Sequence, residues 1–194
     1  MKVIGLTGNI GCGKSTVAAM LRDGGVATVD ADAVAREIRH NDADARAEIV
    51  RRFGTYDASA LAGVVFADAD ALRDLERILH PRVRGAIRAR LAELEEGGVE
   101  VAAVEVIKLL ESPLADACDQ IWVVRCEEAD AIRRVAESRG MDEAAARRRL
   151  GSQSSQDEKV AAADVVIDGS APIEQTRRQV ERSLATLLSD RPSG

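Results

Sequence analysis

The stretch Gly8-Asn9-Ile10-Gly11-Cys12-Gly13-Lys14-Ser15 reads G-x-x-x-x-G-K-S, and its reading decides the fold. Each required residue has a physical task. The glycines let successive backbone N–H groups turn inward around a polyphosphate, the lysine reaches the outer phosphates, and the hydroxyl after it ligates Mg²⁺. Gly8, Asn9, Ile10, Gly11, Cys12, Gly13, Lys14, Ser15 and Thr16 are therefore the expected nucleotide-binding residues, with Ser15 the expected metal ligand. The flanks agree. Lys2-Val3-Ile4-Gly5-Leu6-Thr7 reads as a short buried strand, and Ser15 to about Arg22 as a helix whose N-terminal dipole points at the anion. A dinucleotide-binding glycine loop fails. Its only G-x-G frame, Gly11-Cys12-Gly13, needs Gly or Ala at position 16, where Thr16 stands.

Outward from this loop, strand and helix patterns alternate, which predicts an α/β fold with a five-stranded parallel sheet covered on both faces. Gly24-Gly25 closes the first helix, and Ala27-Thr28-Val29-Asp30 reads as the second strand. Helices are predicted from about 33 to 39 and 43 to 53, and consecutive helices fill about 58 to 94. Strands are predicted at 99–106 and 121–126. Two Arg-rich helices follow, about 128–139 and 142–153, broken at Gly140. Val165-Val166-Ile167 is the last strand, and a helix runs from about Pro172 to Leu188. The expected organisation is one domain over 1–194: a core (1–57, 99–126, 156–189), a helical substrate subdomain (58–98) and a lid (127–155). The tail Asp190-Arg191-Pro192-Ser193-Gly194 is expected to be disordered.

Composition narrows the function classes. The chain has 194 residues, 46% hydrophobic and 2% aromatic, so its core must be built from Val, Ile, Leu and Ala. A net charge of −6 argues against a general nucleic-acid binder, and the scarcity of aromatics removes stacking platforms. Cys12, Cys118 and Cys126 form no C-x-x-C pair, which implies a reduced, cytoplasmic compartment with neither a disulfide framework nor a zinc site. No apolar run approaches a membrane span, and no signal peptide is expected, because the N-terminus runs straight into strand and loop.

Three further features bear on chemistry. Asp30-Ala31-Asp32 ends the second strand, and ligands of open α/β sheets bind beyond the carboxyl ends of strands. A carboxylate there can orient a hydroxyl, accept its proton or hold Mg²⁺ through water, while Asp32 could instead cap the following helix. His80-Pro81 places one of two histidines in the helical stretch. Arg133, Arg134, Arg139, Arg147, Arg148 and Arg149 form an arm, most of it a solvated face. Arg139, beside Gly140, stands where a hinged arm would present it to a transferring phosphoryl group. A GTPase switch is disfavoured by the lack of Asn-Lys-x-Asp. An oligomeric ATPase is disfavoured because Val104-Glu105 matches a strand ending in Asp-Glu only weakly.

With these features in this order, the chain resembles the dephospho-CoA kinases over nearly its whole length. The residues that carry the resemblance are Ile4 to Ala18, Val29-Asp30-Ala31-Asp32, Leu75-Glu76-Arg77-Ile78-Leu79-His80-Pro81, Arg139, Arg149-Leu150 with Gln153, and Lys159 with Ala163 to Asp168. The resemblance implies transfer of the ATP γ-phosphoryl group, with Mg²⁺, to the ribose 3′-hydroxyl of dephospho-CoA. Asp32, Lys14 and Arg139 are then the expected catalytic residues and Thr7, Asp30 and His80 the expected substrate-side ones, to which Lys108 is added on a departure from the family pattern. No nucleic-acid or membrane partner is implied, and the chain acts as a monomer or small homo-oligomer. The competing reading is another small-molecule P-loop kinase.

Two departures from the family pattern stand out. A family Leu-Asp-Arg reads here as Tyr56-Asp57-Ala58, so a basic residue is missing. The family's Asp-Val-Pro-Leu-Leu-Phe-Glu reads as Glu105-Val106-Ile107-Lys108-Leu109-Leu110-Glu111, which loses a proline and gains Lys108 at a strand end. Lys108 is expected either to replace the missing charge or to pair with Glu105 or Glu111.

Overall fold

The computed structural model describes residues 1–189, so the tail at 190–194 lies outside the described residues. Strands β1 (Lys2–Gly8), β2 (Ala27–Asp30), β3 (Val101–Glu105), β4 (Gln120–Arg125) and β5 (Val165–Asp168) form one sheet in the order β2-β3-β1-β4-β5. β1 runs parallel to both β3 and β4, and β4 parallel to β5. Strands covered on both faces need apolar side chains at successive positions, and β1 and β3 read so because they are central.

The helices are α1 (Lys14–Asp23), α2 (Ala31–Asn41), α3 (Ala43–Phe53), α4 (Ala58–Ala67), α5 (Ala69–Glu96), α6 (Glu128–Arg139), α7 (Glu143–Gly151), α8 (Gln156–Ala161) and α9 (Ile173–Ser189). Helix α8 and a 3₁₀ turn at Ala115–Ala117 are absent from the sequence reading; both are too short to show a periodicity. Helix α2 starts at Ala31 rather than near 33, because the Asp30 carboxylate caps it by accepting from the N–H groups of Asp32 and Ala33. Asp32, offered as the cap by the sequence, is thereby left in the first turn.

The chain divides into two compact units, residues 1–29 with 94 onward, and residues 30–93. The first holds a core of Ile4, Leu6, Val17, Leu21, Trp122, Val124, Ile167 and Val180, with Trp122 inaccessible and its indole N–H donated to Gln120 Oε1 at 3.0 Å. The helical unit starts at Asp30, whereas the sequence reading began its helical subdomain at 58. The reason is packing between distant segments. α2 packs with α3, and Arg82 of α5 reaches α3 through Glu48 Oε1 at 2.9 Å and its capping residue Asp42 at 3.4 Å. That guanidinium holds the Glu48 carboxyl below its ordinary pKa by direct hydrogen bonding.

Candidate active site

The loop between β1 and α1 is shaped by positive φ angles at Gly11 (82°) and Gly13 (90°), conformations that favour glycine. At Gly11 sterics add to this: a Cβ would meet the Ala131 carbonyl oxygen at 2.6 Å. The loop closes on itself through Cys12 N–H to Asn9 O (3.2 Å) and hands over to α1 through Val17 N–H to Gly13 O (3.0 Å). Lys14 and Ser15 then open α1, as the motif requires.

Their side chains meet on one carboxylate. Lys14 Nζ lies 2.6 Å from Glu105 Oε1, and Ser15 Oγ donates to the same oxygen at 3.1 Å. Glu105 is the last residue of β3, in register with Leu6 of β1, so the central strand pair delivers it to the loop. The sequence offered Glu105 as a poor Asp-Glu match and as a partner for Lys108, not as a partner of Lys14 and Ser15. The signal was nonetheless there: an apolar strand ending in a carboxylate. The oxygens of Ser15 and Glu105 are the hard donors that Mg²⁺ selects.

Other residues of this unit bear on the loop. Arg134 of α6 donates to the carbonyls of Gly169 (2.8 Å) and Gly11 (3.3 Å), and it walls a cavity of about 230 Å³ with Gly13, Thr16, Gly169, Ala171, Ile173 and Thr176. Gly169 is required by close approach, since a Cβ there would sit 2.0 Å from the Cys12 carbonyl oxygen. Gln153 Oε1 accepts from Ile10 N–H at 3.0 Å, and Lys159 Nζ donates to Asn9 Oδ1 at 2.6 Å. Gln156 pairs its carboxamide with both backbone groups of Cys126, each at 3.0 Å.

Cys12 and Cys126 are joined by a disulfide, which corrects the expectation of three free thiols; only Cys118 is free among the described residues. The pairing spans 114 positions of sequence. Parallel β1 and β4 place the residues following their carboxyl ends side by side, a proximity no cysteine spacing announces. Both sulfur residues line a second cavity of about 430 Å³ with Asn9, Leu150 and Gln156 among others.

The remaining expected residues fall as follows. Thr7 is fully buried and donates its hydroxyl to Ile107 O at 3.0 Å, tying β1 to the segment after β3. Lys108 is exposed in that segment. Arg139 is exposed at the end of α6, where Gly140 closes the helix with φ 60°. In the helical unit, Asp30 spends its carboxylate as the α2 cap and Asp32, two residues on, is exposed in the first turn. His80 is exposed and Pro81 lies inside α5, which continues through it. Ala58 opens α4 behind Asp57, which caps that helix.

A family model described as dephospho-CoA kinase matches residues 2–175. The chain belongs to the dephospho-CoA kinase family. The dephospho-CoA kinase of Leifsonia xyli subsp. xyli is 42% identical over 199 residues, covering 96% of this chain and 99% of that protein. That of Geobacter sulfurreducens is 38% identical over 189 residues, covering 93% and 96%. A crystal structure from Thermus thermophilus superposes with a TM-score of 0.82 at 31% identity, covering 99% of this chain and 98% of its own. The dephospho-CoA kinase structure from Campylobacter jejuni gives 0.70 at 23% identity, covering 96% and 98%, and shares the fold. The dephospho-CoA kinase match includes the loop, Glu105, Arg134 and Lys159, so the gathered side chains all lie inside the family's span.

Proposed function

We propose that this chain transfers the γ-phosphoryl group of ATP to the ribose 3′-hydroxyl of dephospho-CoA, giving CoA and ADP. The observation that carries the reading is the family match across residues 2–175, together with a G-x-x-x-x-G-K-S loop whose lysine and hydroxyl converge on one strand-end carboxylate. Ser15 and Glu105 would hold Mg²⁺, which supplies charge neutralisation to the phosphates. The backbone N–H groups of residues 11–16 cradle the β-phosphate at the start of α1, and Lys14 exchanges Glu105 for phosphate oxygens when the nucleotide enters. The cavity walled by Arg134 and Gly169 lies beside Gly13 and Thr16, and in this reading it takes the base.

Asp32 accepts the proton of the ribose hydroxyl. Its carboxylate makes no hydrogen bond among the described residues, whereas that of Asp30 is committed to the α2 cap and holds the segment in place. Residues 127–155 act as the lid, and Arg139 reaches the charge that develops on the equatorial oxygens. His80 and Lys108 serve the acceptor, Lys108 supplying the basic charge missing at Ala58. The enzyme acts as a monomer or small homo-oligomer.

The test is ADP release coupled to a reporter reaction, with dephospho-CoA compared against other hydroxyl acceptors such as gluconate and shikimate. Turnover confined to dephospho-CoA, with phosphate found on the 3′-oxygen, is expected. Preference for another acceptor would overturn the reading while leaving the nucleotide chemistry intact.

A further inference from the structure

Lys159 is the one charged residue in the buried class among the described residues, 2% exposed. Lysine is almost never fully buried without a partner, because taking an ammonium out of water is costly. Yet no carboxylate lies within ion-pair distance of Lys159 among the described residues. Its ammonium reaches a single neutral acceptor, Asn9 Oδ1, at 2.6 Å. One of three donors is used. Burial lowers the Lys159 pKa, the charge of Lys14 lowers it further, and Glu111 opposes both. Lys14, by contrast, is neutralised by Glu105 at 2.6 Å. Two lysines thus bear on the same loop, from opposite ends of the chain, and only one has a counter-charge.

A fold keeps such a group when a ligand supplies the missing anion. Asn9 follows the first glycine of the phosphate loop, so the Lys159 ammonium stands against the phosphate loop, with Glu111 acting on it only from beyond ion-pair distance. We propose that Lys159 is a second phosphate-binding cation, held by Asn9 in waiting and donating to an oxygen of the terminal phosphate when a nucleoside triphosphate is bound. Asn9 orients it, and α8 carries it there, with Ser155 capping that helix by accepting from Asp157 N–H at 3.2 Å. In this arrangement Lys14 and Lys159 flank the transferred group from the two sides of the loop, and the buried position of Lys159 strengthens its pull, since solvent screens it little. The proposal rests on the P-loop nucleotide reading but is indifferent to the acceptor.

The test compares a nucleotide with and without the terminal phosphate. Calorimetric titration of ADP and of a non-hydrolysable ATP analogue, each with Mg²⁺, is made on the wild-type chain and on Lys159→Met. The analogue should lose at least about tenfold in affinity and ADP less than about threefold, because a charge-assisted bond to the terminal phosphate is absent from ADP. Equal losses for both nucleotides, or no loss for either, would overturn the proposal and leave Lys159 a buttress for Asn9. Should Lys159→Met fail to fold, the wild-type chain still decides. It has lysines only at positions 2, 14, 108 and 159, so ¹⁵N-lysine spectra can be assigned by single substitutions at the other three. The Lys159 ammonium signal should move when the analogue replaces ADP; an unchanged signal would sink the idea. Neither readout uses dephospho-CoA, so a wrong acceptor leaves both outcomes interpretable.

Discussion

At the scale of single residues, Asp30 and Asp32 show how neighbours of one type divide their work. Asp30 Oδ1 accepts from two backbone N–H groups at 2.8 and 3.2 Å, while the Asp32 side chain is left exposed. Asparagine can cap a helix nearly as well as aspartate but cannot take up a proton. Asp32→Asn should therefore lower kcat by about 10²–10⁴-fold with little change in ATP affinity, and Asp30→Asn should do much less. Steady-state kinetics on the two variants checks this, and a larger loss for Asp30→Asn would reverse the assignment. Cys118 offers a second residue-scale outcome. Burial, aided by Asp119, pushes its thiol from 9.0 up to about 11. At pH 8, about one unit below the ordinary value, the thiolate is already a minority, and the shift makes it about a hundredfold scarcer, so iodoacetamide at pH 8 should modify Cys118 far more slowly in the folded chain than in urea. Mass spectrometry of timed aliquots would show it; equal rates would contradict the burial argument.

At the scale of elements, the phosphate loop is positioned less by its own sequence than by what leans on it. Helix α6 contributes Arg134, whose guanidinium bridges Gly11 O and Gly169 O and so couples loop, helix and the turn after β5. The two arginines at issue on α6 should therefore behave differently. Arg134→Ala removes a wall of the cavity beside Gly13 and should raise KM for ATP by about tenfold, a loss of about 1.4 kcal/mol. Arg139→Ala should instead reduce kcat with little effect on KM for ATP, since its partner charge develops only during transfer. Varying ATP at saturating acceptor separates the two, and identical kcat and KM patterns would mean that α6 acts as a single unit. The sequence had placed the two helices and the glycine that separates them, but it could not rank the arginines, because helical spacing alone does not say which guanidinium turns toward the loop.

At the scale of the whole molecule, the Cys12–Cys126 bond closes a loop of 114 positions. Chain-entropy arguments assign a closure of that length about 4–5 kcal/mol, which for a chain of this size corresponds to ~10 °C or more in Tm. Scanning calorimetry with and without a phosphine reductant should show that fall, and Cys126→Ser should melt at the reduced value whether or not reductant is present. A melting temperature indifferent to reductant would mean that the bond adds nothing to stability.

What the sequence determined by itself was everything governed by short-range pattern. The alternation of apolar strands and amphipathic helices gave the parallel sheet, because burial on two faces and on one face leave different periods. The G-x-x-x-x-G-K-S stretch gave the phosphate cradle, because its glycine torsions and its lysine are set within a few residues. What only the tertiary structure decided was the company these residues keep. Glu105 meets Lys14 and Ser15, Lys159 meets Asn9, and Cys12 meets Cys126 across separations of 91, 90, 150 and 114 positions. The meetings at Glu105 and at the cysteines follow from strand order in a parallel sheet, where neighbours in space are joined by long crossovers; Lys159 arrives on α8, and no local periodicity records any of these encounters.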